Sequence, residues 1–252
     1  PSGYIVPHTI APMPNGLTLV TMIGAATSTS GPGGIIKIDD RTGQFKGYYG
    51  PGPTRTPADA PPANMYDFDF NFNINRGVST TFGLPGLIGG GINPAGLGST
   101  VNVWNLQQQK VIQTVDLGTN SGALEARFIR KPGSNYGYIN TPGTSAVWLF
   151  EDEDCDGLFS FHQVLGPEDG LLIPADMVLS LDGRFMYLTN WFGNTVQQWK
   201  ITDRYNPVLV GEATVPHANM VRLSVDGKRL YVTNSLLSTW DDDANPAFGG
   251  VA

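Results

Sequence analysis

The chain of 252 residues carries three histidines, His8, His162 and His217, and imidazole is the side chain most often used to bind a metal or move a proton near neutral pH. His8 stands at the start of a strand pattern, where it is a candidate metal ligand. His217 follows Val215-Pro216 at a junction between strand groups and is carried as a second candidate. His162 lies in the alternating run Ser160-Phe-His-Gln-Val164, whose period of two points it outward. The run Glu151-Asp-Glu-Asp-Cys-Asp-Gly157 sets Asp152, Asp154 and Asp156 in the order of the first half of a calcium loop. Position twelve of such a loop would be Gln163 rather than a bidentate Glu, and strands flank the run where a calcium loop has helices. An acidic hairpin turn is therefore the simpler reading, with calcium as the ion it would take. Cys155, inside this turn, has its thiolate opposed by the neighbouring charge, which makes it a poor nucleophile.

The elements that position these groups follow from a repeat. Leu179-Ser-Leu-Asp-Gly-Arg-Phe-Met-Tyr-Leu-Thr-Asn190 recurs as Leu223-Ser-Val-Asp-Gly-Lys-Arg-Leu-Tyr-Val-Thr-Asn234. Each copy is a strand, an Asp-Gly turn and a second alternating strand, and units of this size and content are the blades of a β-propeller. Tracing the pattern backwards yields about four and a half blades. The first runs from His8 to Tyr48, the second from Tyr66 to Val115, the third from Ala126 to Leu165 and the fourth from Met177 to Val215. A fifth begins at Met220 and is cut off. The expectation is an all-β chain forming a single β-propeller domain over residues 1–252, incomplete at both ends because a propeller closes by joining its first and last blades. In this frame Glu125 enters an inner strand, where an acid would face the central channel, and Arg127 lies on the same face two residues on, placed for a structural ion pair. Trp191 and Trp240 close equivalent strands as packing anchors. The Gly-rich tract from Leu84 to Gly98 lacks the Gly-Lys-Ser/Thr ending of a phosphate loop and is read as an insertion between strands.

Composition narrows the function classes. Gly 32 and Pro 19 make up about a fifth of the chain while 40% remains hydrophobic, a balance that fits a loop-rich fold with a real core. A net charge of -7 with 15 Lys and Arg provides no basic stripe for nucleic acid or an anionic membrane. The apolar stretches are too short to span a bilayer. One cysteine excludes an internal disulfide and a Cys-rich zinc site. No Gly-x-Ser-x-Gly elbow and no His-Glu-x-x-His motif occurs, so hydrolase and zinc-protease chemistry have no support. A soluble protein is expected, with export to a periplasmic or extracellular space favoured over the cytoplasm; the oligomeric state stays open.

Several segments resemble the selenium-binding proteins, a family whose members include methanethiol oxidases. Asp176-Met-Val-Leu-Ser-Leu-Asp-Gly-Arg-Phe-Met-Tyr-Leu-Thr-Asn-Trp191 with Val196-Gln-Gln-Trp-Lys-Ile-Thr-Asp203 is similar to that family's blade, as is Leu223 to Trp240. Asn93-Pro-Ala, Val101-Asn-Val-Trp104, Val111-Ile-Gln-Thr-Val115 and Leu124-Glu-Ala-Arg-Phe-Ile-Arg-Lys-Pro132 follow in the family's order. The resemblance implies a seven-bladed propeller of which this chain is the middle. In the oxidase members it implies copper-dependent conversion of a small thiol, methanethiol, and oxygen to formaldehyde, hydrogen sulfide and hydrogen peroxide, with copper held by histidines. The family's His-Thr-x-His-Cys run is reduced here to His8-Thr9-Ile10-Ala11-Pro12, leaving His8 as its one ligand, and the aromatic stretch from Tyr66 to Gly83 is remodelled. The alternative is a divergent propeller that has lost the metal chemistry and serves as a binding or structural module.

Overall fold

The computed structural model describes residues 2–26, 32–54, 64–83 and 96–234, and the chain divides into two compact units, Pro1–Ala126 and Arg127–Ala252. In the first unit, β1 (Tyr4–Pro12), β2 (Leu17–Ala25), β3 (Gly34–Asp39) and β4 (Phe45–Tyr48) form one antiparallel sheet in sequence order. A second follows from β5 (Met65–Asn71), β6 (Arg76–Thr81), β7 (Thr100–Asn105) and β8 (Lys110–Asp116). In the second unit, β9 (Ala126–Phe128), which starts on the last residue of the first unit, joins β10 (Tyr136–Thr141), β11 (Ala146–Glu151) and β12 (Ser160–Leu165). It is followed by β13 (Pro174–Leu179), β14 (Phe185–Asn190), β15 (Thr195–Lys200) and β16 (Val208–Thr214), and then by the pair β17 (Val221–Leu223) and β18 (Leu230–Val232). Each sheet is a meander of consecutive strands, the blade of a β-propeller. Four full blades and one two-stranded ladder match the expected four and a half.

The strands sort by depth as their residues dictate. Middle strands are covered on both faces and are nearly continuous in buried residues, as in β7, where Val101, Val103 and Trp104 are fully buried. Outermost strands keep one face in water, so β8 alternates along Lys110-Val-Ile-Gln-Thr-Val-Asp116 and β16 is exposed along most of its length. The first unit packs around Leu19, Ile35, Met65, Phe68 and Trp104, and the second around Tyr138, Leu149, Met177, Met186, Leu188 and Trp199. Burial alone raises the Tyr49 phenol to about 12, while its hydroxyl donates to the Leu106 carbonyl at 2.7 Å.

The two Asp-Gly turns have one construction. Gly183 and Gly227 both sit at φ +68°, a left-handed backbone that glycine adopts without steric cost. Their N–H groups donate to the carbonyls of Ser180 and Ser224, at 2.9 and 2.8 Å. The Ser180 hydroxyl donates to Asp182 at 2.7 Å, and Ser224 repeats this with Asp226 at 2.5 Å. The Ser180 hydroxyl, then the Arg184 guanidinium and backbone N–H, hold Asp182 down to about 2.

Candidate functional site

Three inner strands bulge at the same place. The register shifts between Pro7 and Ile10 in β1, between Met65 and Phe68 in β5 and between Pro174 and Met177 in β13. Bulges re-aim the residues inside them, here His8-Thr9, Tyr66-Asp67 and Ala175-Asp176. Within each bulge one backbone N–H leaves the ladder and donates to a threonine hydroxyl of the next strand: Thr9 to Thr21 at 2.8 Å, Asp67 to Thr80 at 3.1 Å and Asp176 to Thr189 at 2.9 Å.

Each of those hydroxyls passes its own proton to the following blade. Thr21 donates to the Tyr66 carbonyl at 2.6 Å, Thr80 to Leu124 at 2.5 Å and Thr189 to Asn219 at 2.6 Å. In β10 the equivalent residue is Asn140, whose amide donates to the Pro174 carbonyl at 2.8 Å. A hydroxyl suits this place because one oxygen both accepts and donates. These bonds form a polar latch from one blade to the segment that follows it.

The latch fixes which residues share a position. Ala126 N donates to the Asp67 carboxylate at 2.9 Å, and Val221 N donates to Asp176 at the same distance. Ala126 and Val221 are therefore the counterparts of Asp67 and Asp176 in the next inner strand. One residue earlier in the first unit come His8, Tyr66 and Glu125. The His8 and Tyr66 rings stack at 3.5 Å between centroids and 30° between planes, and Phe82 packs on Tyr66 at 5.2 Å. His8 is half-buried. Its Nδ1 lies 3.2 Å from the Thr9 hydroxyl, and that hydroxyl donates to Asp67 Oδ1 at 2.6 Å. Asp67 is 1% exposed and Glu125 2%, so both acids are carried in the interior. The backbone on either side of Glu125 is pinned by the Leu124 and Ala126 bonds.

Arg127 is directed at Asp176, with Nη2 3.5 Å from Oδ1. Arg222 reaches the other oxygen of the same carboxylate at 2.9 Å. Asp176 is fully buried and is thus held by two guanidinium groups and the Val221 N–H, the full pairing that a buried charge requires. Sequence reasoning named Arg127 but not this partner. The available signal was Asp176 itself, an acid inside the apolar run Ala175 to Leu179.

His217 lies in the segment between β16 and β17 with φ +50°. Its N–H donates to the Asn194 side chain at 2.9 Å, and Phe192 meets its ring edge-on at 6.2 Å. In the acidic turn, Asp152 accepts from Gly157 N at 3.2 Å and Asp156 from Leu158 N at 2.8 Å, while Asp154 and Cys155 are exposed. Two of the three candidate calcium ligands therefore accept backbone bonds within the turn between β11 and β12. Trp191 is buried as an anchor. Trp240 and most of the Gly-rich tract, residues 84–95, lie outside the described residues.

A cluster missed by sequence reading joins residues distant in the chain. Glu151 pairs with Arg204 at 2.9 Å and accepts from the Tyr205 hydroxyl, and Glu153 meets His162 Nε2 at 2.8 Å. The bond to Glu151 is the main cause that raises the Tyr205 phenol. His162, Glu151 and Glu153 lie close enough to hold a metal ion together, but Arg204 and Tyr205 already match the buried Glu151 carboxylate, so the arrangement is complete as a clasp between the β15–β16 loop and β11–β12. A groove of about 710 Å³ runs along β8, lined by Gly50, Pro51 and Gln108 to Thr114. None of the residues predicted from sequence lines it. No helix among the described residues is long and apolar enough to cross a membrane.

Comparison with known proteins places the chain. The methanethiol oxidase of Danio rerio is 31% identical over 97% of this chain, and the chain spans 59% of that relative's length. A solved structure, the hypothetical selenium-binding protein of Sulfolobus tokodaii, superposes with a TM-score of 0.82 at 27% identity, over 95% of this chain and 60% of that one. The β-propeller domain of Myceliophteria thermophila Cps50 (Swd1) gives 0.60 at 10% identity over 93% of this chain and 63% of that one, which bears on the fold alone. The sequence pattern of the family described as 56kDa selenium binding protein (SBP56) matches residues 1–249, and the chain belongs to that family.

Proposed function

We propose that this chain is part of a copper-dependent thiol oxidase that converts methanethiol and oxygen to formaldehyde, hydrogen sulfide and hydrogen peroxide, with His8 as one copper ligand. The observation that carries the reading is the seat of His8. Its ring is stacked on Tyr66, its Nδ1 is bonded to Thr9, and Thr9 is bonded to the buried Asp67, the outer-shell support that orients ligating imidazoles. The naming of the Danio rerio relative as a methanethiol oxidase adds support. Imidazole suits copper, which supplies a one-electron redox couple when bound. His8 is the one histidine in residues 1–126, so in this reading further ligands come from other parts of the oxidase. Nucleic acid is not a partner in this reading, given the charge of -7.

A single imidazole in the first unit also favours a second reading, a propeller that has kept the seat and lost the metal, acting as a binding or structural module. The test is metal mass spectrometry of the purified full-length protein beside a His8→Ala variant, with methanethiol consumption followed in both. Near-stoichiometric copper that falls in the variant together with methanethiol turnover is the expected result. Copper-free protein without turnover would leave the binding module.

A further inference from the structure

We propose that Thr9 and Asp67 are positioning residues that fix His8 in the tautomer with its proton on Nδ1, so that Nε2 is the atom presented to a metal ion. The inference rests on the reading of His8 as a ligand. A threonine hydroxyl has one proton to give. That of Thr9 is donated to Asp67 Oδ1 at 2.6 Å, a short O–H···O bond. The proton is therefore committed to Asp67. Toward His8 Nδ1, 3.2 Å away, the same oxygen can act only as an acceptor. Nδ1 must then carry the hydrogen, and in the neutral ring the lone pair falls on Nε2.

The relay is rigid at each step. Asp67 accepts Ala126 N at 2.9 Å from the next inner strand, and its own N–H is tied to Thr80. Ring rotation is restricted by the Tyr66 stack at 3.5 Å. The corresponding carboxylate in the second unit, Asp176, is preceded by Ala175 and held by Arg127 and Arg222. A strand anchor found in both units has, in the first, a bonded path to an imidazole. Ligating histidines commonly bond their second nitrogen to a carboxylate or carbonyl; here a hydroxyl stands between ring and carboxylate.

The test is the nitrogen spectrum of the ¹⁵N-labelled, metal-free full-length protein, with the His8 ring identified by its loss in His8→Gln. The expected result is a protonated Nδ1 and an unprotonated Nε2 in the wild type, loss of that preference in Thr9→Val, and its return in Thr9→Ser. A wild-type ring protonated on Nε2 overturns the proposal without any variant, as does an unchanged tautomer in a folded Thr9→Val. Copper affinity by competition titration gives the second arm, with a loss of about 10- to 100-fold in Thr9→Val and recovery in Thr9→Ser. The expected tautomer combined with undiminished copper binding in His8→Ala would remove the ligand reading, and with it the purpose assigned to the relay, while leaving the hydrogen-bond geometry correct.

Discussion

Asp176 and Val221 are 45 residues apart in the chain, and the carboxylate of the first accepts the backbone N–H of the second at 2.9 Å. That bond joins the fourth blade to the fifth at a fully buried acid, which Arg127, Arg222 and the Met177 N–H also hold. Removing one partner of such a group leaves charges uncompensated, so Asp176→Ala is expected to destabilise by about 3 kcal/mol. The lower end of the usual range applies because the Arg222 side chain keeps 59% of its exposure. Urea unfolding at neutral pH measures it; a loss under about 1 kcal/mol would mean that the carboxylate is not the anchor described.

The threonine latch gives a second expectation. Thr80→Val keeps the shape but strands the Asp67 N–H and the Leu124 carbonyl, each a buried group whose unmet bond costs about 1–3 kcal/mol. Thr80→Ser keeps the hydroxyl and should recover most of the loss. Equal destabilisation in the two variants would mean that the hydroxyl bonds are not what sets the loss at this position.

Backbone strain and packing separate at the two repeat turns. An added Cβ at Gly227 meets nothing within 4 Å, whereas at Gly183 it comes to 3.1 Å from Ile129 Cγ2. Gly227→Ala should therefore show the left-handed backbone cost alone, about 1–2 kcal/mol, and Gly183→Ala the same plus the displacement of Ile129. Thermal melts of both variants decide it, and a Gly183→Ala loss no greater than that of Gly227→Ala would show that Ile129 yields freely.

The same turns set a pH response. Serine hydroxyls hold Asp182 at about 2 and Asp226 below its ordinary value. Because folding lowers these values, the stabilisation is fully present above the unfolded carboxylate range near 4 and is lost as pH falls toward 2. Asp182→Asn with Asp226→Asn should lower stability at pH 6 and flatten its decline between about pH 4 and 2. Both groups are solvent-exposed, so the change is modest. An acid-unfolding profile identical to wild type would refute it.

The fold was legible where local chemistry repeats. The Ser-x-Asp-Gly turns and their alternating flanks gave the last two blades directly, and the rest followed by spacing. The latch was not legible, because Thr21, Thr80 and Thr189 look like ordinary polar members of alternating strands, and only the ladder shift reveals that each serves two blades. His8 was found through a short family motif. Its relay was not, since Asp67 lies 58 residues beyond Thr9 and no local pattern connects them. The Glu151–Arg204–Tyr205 clasp was hidden for the same reason: its members come from separate blades.

Among the described residues every full blade is a consecutive run of four strands, and within each unit the latch bonds run forward to residues that follow the blade in sequence. For a chain leaving the ribosome this has a kinetic meaning. A blade can form as soon as its own residues have emerged, and it docks on a neighbour already made, without waiting for distant sequence. Nearest-neighbour coupling lets order spread along the chain one unit at a time. A defect in one latch should then stall assembly at that blade while leaving those synthesised before it intact.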